Sequence, residues 1–358
     1  MVNLVFCWYL FLSSKKVELG YYQVIKFKMN KKTIWTIVAI IVVILVVWGI
    51  TNKPKDISGI KVGVIAPLTG ALASYGEEVK KGVTAGSEGS PVQFIFEDGF
   101  CDPKTAITAF QKLTSIDNVK FIIGPTCGSP QEAVAPLLKD KQVLAIVPSS
   151  ASNNLFETSD GLFFNKQYSL ENESKFIADE MNRLGYKKVA IVTYGNAFSK
   201  THHDSFVINF KGDIVVDTVL LDINNNLLTE LTKIKNAGVD AIYSPDITFF
   251  YNNAIASMKQ ISLDVPIFST SITGLPLART LVEGVIYSYP TDIEGVNGGV
   301  AELSKIATEK LLSTLSACGN DVVCVQKRLV SSGDFDEFGT SKRGITLKQI
   351  MNGEVIDY

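Results

Sequence analysis

The sequence has no excess of positive charge. Its 34 Lys and Arg residues are balanced by 36 Asp and Glu residues, which gives a formal net charge of −2 over 358 residues. A nucleic-acid-binding domain usually concentrates Lys and Arg on one face, whereas charges of both signs are interspersed here, as on an ordinary solvated surface. The composition therefore gives no support to a nucleic-acid partner. The length leaves room for a sizeable core and for two lobes of ordinary domain size.

Histidine is scarce, and the sequence carries no catalytic motif. The only two histidines, His202 and His203, are adjacent, so on a helix they point in different directions and form a poor metal-binding pair. The sequence contains no Gly-x-Ser-x-Gly elbow, no HExxH, no phosphate-binding loop and no dinucleotide-binding fingerprint. We therefore expect no enzymatic activity, no cofactor and no metal site, and we place both histidines on a surface helix.

Cysteines are few, and their positions leave several pairings open. The five are Cys7, Cys101, Cys127, Cys318 and Cys324. Outside the cytoplasm the last four permit three disulfide connectivities. Cys318 and Cys324 are close in sequence, and the Gly-Asn pair after Cys318 could supply the turn of a short ring. Reduced buried thiols would suit a cytosolic protein instead, and a zinc site is disfavoured because no histidine lies near either pair.

One apolar stretch, Thr33 to Ile50, contains no charged residue. As a helix it would be about 27 Å long, close to the ~30 Å hydrocarbon core of a membrane. Lysines precede it, and Trp35 and Trp48 lie near its two ends, so we expect an uncleaved signal-anchor with its N-terminus in the cytoplasm. A cleaved signal peptide and a buried core helix are the alternatives.

The segments on either side of this stretch complete the expected topology. Residues 1–32 would form a cytoplasmic tail, in which Met29 followed by Asn-Lys-Lys is the more natural start of translation. Cys7 belongs to that tail. Residues 51–59 would form a polar tether. The rest of the chain, residues 60–358, would then be a folded domain on the outer side of the cell membrane.

From residue 60 onwards, short apolar runs rich in β-branched residues alternate with helical patterns. Strands that alternate with helices predict parallel βαβ units and an α/β fold. The runs form two groups, which predicts two sheets with a cleft lined by the loops at the carboxyl ends of the strands. The first group is Val62–Ala66, Val92–Phe96, Lys120–Ile123 and Val143–Val147; the second is Val189–Thr193, Ile214–Leu221, Ala241–Tyr243, Ile267–Phe268 and Val285–Tyr287.

Three loops in this domain resemble the solute-binding proteins of the leucine/isoleucine/valine-binding family, which feed ABC importers. The loops lie in Ile60–Gly82, Phe96–Lys104 and Ile122–Ser129. The resemblance covers Lys61 to Tyr358 and implies the two-lobed type 1 periplasmic-binding-protein fold, each lobe a mainly parallel sheet flanked by helices. It also implies a disulfide between Cys101 and Cys127, and we expect a second disulfide between Cys318 and Cys324, which are close in sequence.

The resemblance further implies how the chain divides between the lobes. Lobe 1 would hold about residues 60–165 and 290–330, including a helix at Ala301–Leu315. Lobe 2 would hold about residues 166–289 and 331–358, with final strands at Ile345–Ile350 and Glu354–Ile356. The chain would therefore cross between the lobes three times.

Two helix starts are marked by their sequence. Asp102-Pro103 supplies an N-cap acceptor and a proline in the first turn, and Ala106, Phe110 and Leu113 then fall on one face. Ser129, followed by Pro130 and Glu132, reads as a capping box, with serine at the N-cap and glutamate three residues later.

The first-lobe contacts of a ligand follow from the resemblance. Gly128 and Ser129 match the family loop that holds a ligand carboxylate, and free N–H groups at a helix start favour an anion; Ser129 alternatively only caps its helix. Ser149 and Ser150 match the second carboxylate-binding loop, where Ala151 replaces the usual threonine. Tyr75 matches a family tyrosine that packs on the ligand side chain, although it could equally pack between the lobes.

The second lobe departs from the family more clearly. Family members commonly carry an acid after the strand that ends near Phe268, where it neutralises the ligand ammonium; this chain has Ser269–Thr273 there, and Ser271 is our candidate contact. Asp246 or Glu171 could replace the acid, although Asp246 could only begin a helix; otherwise the ligand is not an ordinary α-amino acid. Phe198 stands where the family often has tyrosine, which makes the pocket drier.

Two functions remain open at this point. The first is a membrane-tethered extracytoplasmic solute-binding protein that captures a small amino-acid-like or carboxylate ligand between two lobes and delivers it to ABC permease subunits. The second is a ligand-sensing ectodomain of the same fold that regulates a separate signalling partner. No kinase or methyl-accepting segment occurs within these residues, which favours transport.

Overall fold

The computed structural model describes residues 35–43, 54–221, 227–271, 281–291 and 299–358. Helix α1 spans residues 35–43 and is solvent-exposed; it belongs to a unit that ends at Pro54, and Lys55–Tyr358 form a second compact unit. Within the described ranges, no helix is both long enough and apolar enough to span a bilayer. Half of the predicted signal-anchor Thr33–Ile50, together with Cys7 and Met29, lies outside the described residues, so the anchor stays a prediction.

The first sheet of the second unit has five parallel strands in the order β2-β1-β3-β4-β5. Four of its strands are apolar and almost fully buried, as is usual for parallel sheets covered by helices on both faces, whereas the edge strand Gln93–Asp98 is only partly buried. The strands are β1 (Lys61–Ala66), β2 (Gln93–Asp98), β3 (Phe121–Ile123), β4 (Leu144–Val147) and β5 (Phe163–Asn165), and the helices between them are α2 (Ala73–Gly86), α3 (Pro103–Ser115), α4 (Gly128–Lys141) and α5 (Asn154–Thr158).

The second sheet has seven strands in the order β12-β11-β10-β9-β8-β6-β7, of which β11 and β12 run antiparallel to their neighbours. The strands are β6 (Lys188–Tyr194), β7 (Asp213–Leu220), β8 (Ala241–Tyr243), β9 (Ile267–Ser269), β10 (Ile286–Pro290), β11 (Ile345–Met351) and β12 (Glu354–Asp357). The helices are α6 (Leu170–Leu184), α7 (Ala197–Asn209), α8 (Leu227–Ala237), α9 (Thr248–Tyr251) and α10 (Ala254–Gln260).

After β10 the chain returns to the first sheet through α11 (Val300–Cys318) and α12 (Val322–Ser331). Helix α11 packs along α2 at close range, because a Cβ at Gly82 would lie only 2.0 Å from the Ala301 carbonyl oxygen. Glycine at this position therefore allows the two helices to approach.

The segments that connect the two sheets are hydrogen-bonded to one another. Asn165, at the end of β5, donates its N–H to the Gly339 carbonyl and accepts from the Ser341 N–H, both at 2.8 Å. Thr291, just after β10, donates to the Gly344 carbonyl at 3.1 Å. The segment 339–344 is therefore hydrogen-bonded to both of the other connections between the sheets.

The strand predictions agree with the structure within two or three residues at either end, and the helix predicted at Ala301–Leu315 is part of α11. The sequence reading missed β5 and α12. Asp102 is the N-cap of α3 and accepts a hydrogen bond from the Thr105 N–H at 2.8 Å, with proline in the first turn, as predicted. The lobe boundaries themselves stay a prediction.

The capping box predicted at Ser129 is wrong. Helix α4 begins at Gly128, and its N-cap residue is Cys127, which makes no side-chain capping bond. Ser129 therefore lies inside the first turn and does not cap the helix. The reason is non-local: Cys127 is bonded to Cys101, and the extended backbone of Cys127 moves the helix start two residues earlier than the local pattern indicates.

The surface position predicted for both histidines is wrong for His202. On α7, His202 is fully buried, whereas its neighbour His203 is partly exposed and lies between Asp204 and Asp217. Burial lowers the pKa of His202 to about 3, because the charged imidazolium would lose its hydration. Adjacent residues point in different directions on a helix, so one can lie in the core and the next in solvent.

Both expected cysteine pairs lie at disulfide distance. Cys101 and Cys127 have Cα atoms 5.4 Å apart, and Cys318 and Cys324 have Cα atoms 5.6 Å apart, within the usual disulfide range. The first bond joins the loop after β2 to the start of α4. The second joins the end of α11 to the first turn of α12.

Candidate functional site

A cavity of about 430 Å³ lies between the two sheets, lined by loops at the carboxyl ends of strands from both. Open α/β sheets bind ligands at this edge, and the volume is in the range of small-molecule sites. The first-sheet side and its neighbours contribute Ala71, Leu72, Tyr75, Cys101, Thr126, Cys127, Gly128, Ser129, Pro130, Ser149, Ser150 and Val300; the crossover and the second-sheet side contribute Gln167, Asn196, Phe198, Asp246, Ile247, Thr248, Tyr251 and Ser271.

The start of α4 supplies hydrogen-bond donors to this cavity. Gly128 and Ser129 are the first two residues of the helix, and N–H groups in a first turn have no partner within the helix. They also lie at the positive end of the helix dipole, which favours an anion. A Cβ at Gly128 would lie 3.2 Å from the Cβ of Phe198 on the opposite side of the cavity, so the two sides approach closely here.

A buried amide holds the second serine loop in place. Gln131 is 1% exposed and donates from Nε2 to the Ser149 hydroxyl at 2.9 Å and to the Pro125 carbonyl at 3.2 Å. Tyr75 donates its hydroxyl to the Thr126 carbonyl at 3.1 Å. Burial raises the pKa of Tyr75 to about 12, partly offset by hydrogen bonds with Ser149 and Thr126, so the phenol stays neutral. These contacts fix the first-sheet wall.

Asp98 organises the loop between β1 and α2, which ends at Leu72, the N-cap residue of α2; Tyr75 lies in the first turn of that helix. Its carboxylate accepts from the N–H groups of Leu68 and Phe100 at 3.0 and 2.9 Å and from the Thr69 hydroxyl. Burial alone would raise the pKa of Asp98, but these hydrogen bonds outweigh it and lower the pKa below its ordinary value. The loop therefore forms around an ionised carboxylate.

On the second-sheet side, Asp246 lines the cavity with its hydrogen-bonding capacity already in use. One oxygen accepts from Asn196 Nδ2 at 2.8 Å and from the Ser199 hydroxyl at 2.9 Å. The other accepts from the N–H and hydroxyl of Thr248 at 2.9 and 2.6 Å. A carboxylate has about four acceptor positions, and all four of those of Asp246 are used to hold the loop together. Asp246 can therefore attract a ligand by its charge, but it has no vacant lone pair to accept a hydrogen bond.

The other acid considered from sequence, Glu171, does not line this cavity. Its two oxygens accept from the Asn153 N–H at 3.1 and 3.2 Å, and it borders a separate open groove. Its neighbour two residues along α6, Glu173, is 1% exposed and accepts from the Ser271 N–H at 2.8 Å. The suggestion that Glu171 serves as a ligand acid is therefore not supported by its placement.

All eight residues proposed as ligand contacts border this one cavity: Tyr75, Gly128, Ser129, Ser149, Ser150, Phe198, Asp246 and Ser271. Their contact with a ligand stays a prediction. The sequence reading missed Gln167, Asn196 and Tyr251. Asn196 could have been found from the sequence, because asparagine is a favoured N-cap residue just before a helix. In the structure it caps α7 and accepts from the Ser199 N–H at 2.8 Å. Gln167 lies in the crossover after β5, which the sequence reading did not identify.

The charge of the lining is simple. Asp246 is the only acid among the described residues that border the cavity, and none of these residues is Lys, Arg or His. Tyr75, Phe198 and Tyr251 supply aromatic surface, while Gln167, Asn196 and the serines supply neutral polar groups. An anionic group of a ligand would therefore be bound by N–H and O–H donors rather than by a basic side chain. Nor do the described residues contain a cluster of three or more potential metal ligands.

Comparisons with known proteins agree with this architecture. A sequence model of the family described as periplasmic binding protein matches residues 59–292. A relative from Brucella melitensis, Leu/Ile/Val-binding protein homolog 3, is 29% identical over 200 residues, which are 51% of this chain and 53% of that protein. The match thus spans about half the length of that relative.

Two solved structures are similar in fold. A leucine-binding protein from Thermotoga maritima has a TM-score of 0.75 with 18% identity, and the match covers 84% of this chain and 97% of that one. An ABC-transporter solute-binding protein from R. palustris, solved with 4-hydroxybenzoate, has a TM-score of 0.69 with 18% identity and covers 84% and 95%. At such identities the likeness concerns the fold alone.

Proposed function

The chain belongs to the periplasmic binding protein family, in its leucine/isoleucine/valine-binding branch, and on that premise we propose that it is a solute-binding protein of an ABC importer. It captures a small amino-acid-like or carboxylate ligand between its two sheets and presents it to the permease subunits. The observation that carries this proposal is one cavity between strand-end loops of both sheets, with helix-start donors on one side and acceptor groups on the other.

The donor side accounts for a carboxylate. The free N–H groups of Gly128 and Ser129, with the hydroxyls of Ser149 and Ser150, can surround an anionic group. A charge-assisted hydrogen bond from an N–H to a carboxylate contributes about 1.5–3 kcal/mol. The relatives that bind leucine or 4-hydroxybenzoate support this class, because both ligands carry a carboxylate.

The acceptor side accounts for a donor group at the other end of the ligand. Asp246 contributes a negative charge, and Ser271 and Gln167 contribute neutral oxygens. An ammonium group fits such a surface, although the four bonds already made by Asp246 make it a weaker partner than a free carboxylate. Phe198 and Tyr251 would cover the apolar part of the ligand.

The test is a ligand screen on the full chain in detergent. Thermal unfolding is measured with L-leucine, L-isoleucine, L-valine, 4-methylpentanoate and 4-hydroxybenzoate, with L-leucinamide as the control that lacks a carboxylate. A ligand at 100 times its Kd stabilises the folded state by about 2.7 kcal/mol. We expect at least one carboxylate, and not the amide, to raise Tm. If none of the carboxylates binds, the proposed ligand class is refuted.

The location is a proposal that the signal-anchor supports. The apolar stretch Thr33–Ile50, preceded by lysines, would hold the chain in the cell membrane with the binding domain outside. Protease added to intact cells should then digest the domain and leave a cytoplasmic control protein intact. Full protection of the domain would reverse this topology.

A further inference from the structure

Behind the second-sheet wall of the cavity lies a carboxylate that does not border the cavity itself. Glu173 is on the first turns of α6 and is 1% exposed. One of its oxygens accepts from the Ser271 N–H at 2.8 Å and from the Ser288 hydroxyl. A buried carboxylate is costly for a fold, and an apolar side chain of similar size would often be tolerated as well or better. Stability alone therefore gives no reason for an acid here.

The contacts of Ser271 connect this carboxylate to the cavity. Ser271 borders the cavity, and its hydroxyl oxygen accepts from Gln167 Nε2 at 3.0 Å. Gln167 also borders the cavity and lies in the crossover segment after β5. Glu173 thus fixes the backbone of Ser271, and Ser271 in turn fixes the amide of Gln167.

The second oxygen of Glu173 faces another part of the same wall. It lies 3.7 Å from Nε2 of His202, and neither atom has a hydrogen-bond partner among the described residues. The His202 ring packs edge-on against Phe198, with ring centroids 4.5 Å apart, and Phe198 borders the cavity. Two elements of the cavity wall are therefore backed by one buried carboxylate.

We propose that Glu173 is a positioning residue for ligand selection, which holds the Ser271–Gln167 pair in the orientation that meets the end of the ligand opposite its carboxylate. This inference rests on the proposed function of the cavity. It assigns no direct ligand contact to Glu173. Its effect reaches the ligand through Ser271 and Gln167, because Ser271 bonds to both Glu173 and Gln167.

The test measures whether Glu173 and Gln167 act together on binding. The Kd values for L-leucine and for 4-hydroxybenzoate are determined by calorimetry with the full chain, its E173A, E173Q and Q167A variants and the E173A/Q167A double variant. For whichever probe binds the parent chain, we expect E173A to raise Kd roughly tenfold. E173Q should stay within about threefold, because its amide oxygen still accepts the Ser271 N–H. In the Q167A background, E173A should weaken binding clearly less than it does in the parent chain, because the part of the effect that passes through Gln167 is already lost.

A matched control separates positioning from general loosening of the fold. Ser288→Ala removes the other donor to the same Glu173 oxygen, and Ser288 is buried without bordering the cavity. This variant should lower Tm but keep Kd within about twofold. Equal weakening by S288A and E173A, or additive losses in the double variant, would overturn the inference while leaving the cavity assignment intact. A parent chain that binds neither of these probes nor any other carboxylate of the thermal screen would refute the ligand class, and this inference with it.

Discussion

Cys127 is at once the N-cap residue of α4 and the disulfide partner of Cys101, and both cysteines border the cavity. The bond therefore sets the place where the helix begins and, with it, the position of the N–H groups of Gly128 and Ser129. The other disulfide, Cys318–Cys324, joins two helices and borders no part of the cavity. The two bonds form a matched pair for experiment.

Replacing Cys101 and Cys127 by serine should weaken both folding and binding. On the chain-entropy estimate, a bond closing 26 residues contributes about 3.5 kcal/mol to the free energy of unfolding, and one closing 6 residues about 2 kcal/mol. We expect the first pair of substitutions to lower ligand affinity roughly tenfold as well, because the donors are no longer held in place. Serine at 318 and 324 should lower Tm and leave Kd unchanged. Unchanged Kd in both variants would contradict the role given to Cys127.

Ser129→Pro tests the backbone donors of α4 directly. Proline is tolerated in the first turn of a helix, so the substitution removes one N–H and keeps α4. We expect affinity for the identified carboxylate ligand to fall about ten- to more than a hundredfold, the cost of about 1.5–3 kcal/mol for a charge-assisted hydrogen bond. Ser129→Ala keeps the N–H and should cost less than tenfold. Equal Kd values for parent and proline variant, measured by calorimetry, would remove α4 from the site.

Gly128→Ala should weaken binding more than it destabilises the fold. Alanine is favoured over glycine in a helix by about 1 kcal/mol, which offsets part of any crowding cost to the free energy of unfolding. The new Cβ, however, would lie 3.2 Å from the Cβ of Phe198, and overpacking of this kind costs about 1–3 kcal/mol. We expect Kd to rise at least fivefold. Phe198→Ala in the same chain should relieve the crowding between the two sides. The loss of binding free energy in the double variant should therefore be smaller than the sum of the losses in the two single variants. Strict additivity would argue against this contact.

The two adjacent histidines should give opposite pH dependences of stability. His202 has a folded pKa of about 3, below the unfolded value of about 6.5. The unfolded chain therefore binds a proton that the folded chain does not between these values, and stability falls as pH falls through this window, by about 2 kcal/mol at pH 5. His202→Gln should remove this loss, as measured by urea unfolding at pH 7 and pH 5.

His203 provides the control of opposite sign. Desolvation alone would lower the pKa of His203, but hydrogen bonds to Asp217 and Asp204 outweigh it and raise the pKa. Its contribution is therefore present below the unfolded pKa and is lost as pH rises through the folded pKa. His203→Gln should make the chain less stable at pH 5 than at pH 7 relative to the parent. The same sign for both variants would contradict the burial of His202.

The sequence predicted a helix start correctly where the residues that determine it are close together in the chain. Asp102 and Pro103 start α3 as predicted because the N-cap bond closes within three residues. The capping box at Ser129 failed because the start of α4 depends on a bond to residue 101, far away in sequence. The strands were found because parallel strands buried on both faces are continuous apolar runs.

The sequence predicted which loops border the cavity but not which side chains face it from the neighbouring helices. The cleft itself was predicted from strand-end loops, since the carboxyl ends of parallel strands meet, whereas Tyr75 and Ser129 were assigned to it from the family resemblance. The sequence could not tell which of Glu171 and Glu173 faces the second-sheet wall, because residues two apart on a helix lie about 200° apart and either face could be inward. That choice depends on packing against Ser271 and Ser288.

The absence of a basic side chain from the described lining of the cavity has a consequence for how binding responds to salt. A carboxylate paired with an exposed Lys or Arg loses affinity as ionic strength rises, because mobile ions screen the pair. Fixed N–H dipoles of a partly buried site are screened less than an exposed ion pair. Capture of an anionic solute by the Gly128–Ser129 donors should therefore hold at nearly constant strength from dilute to saline surroundings.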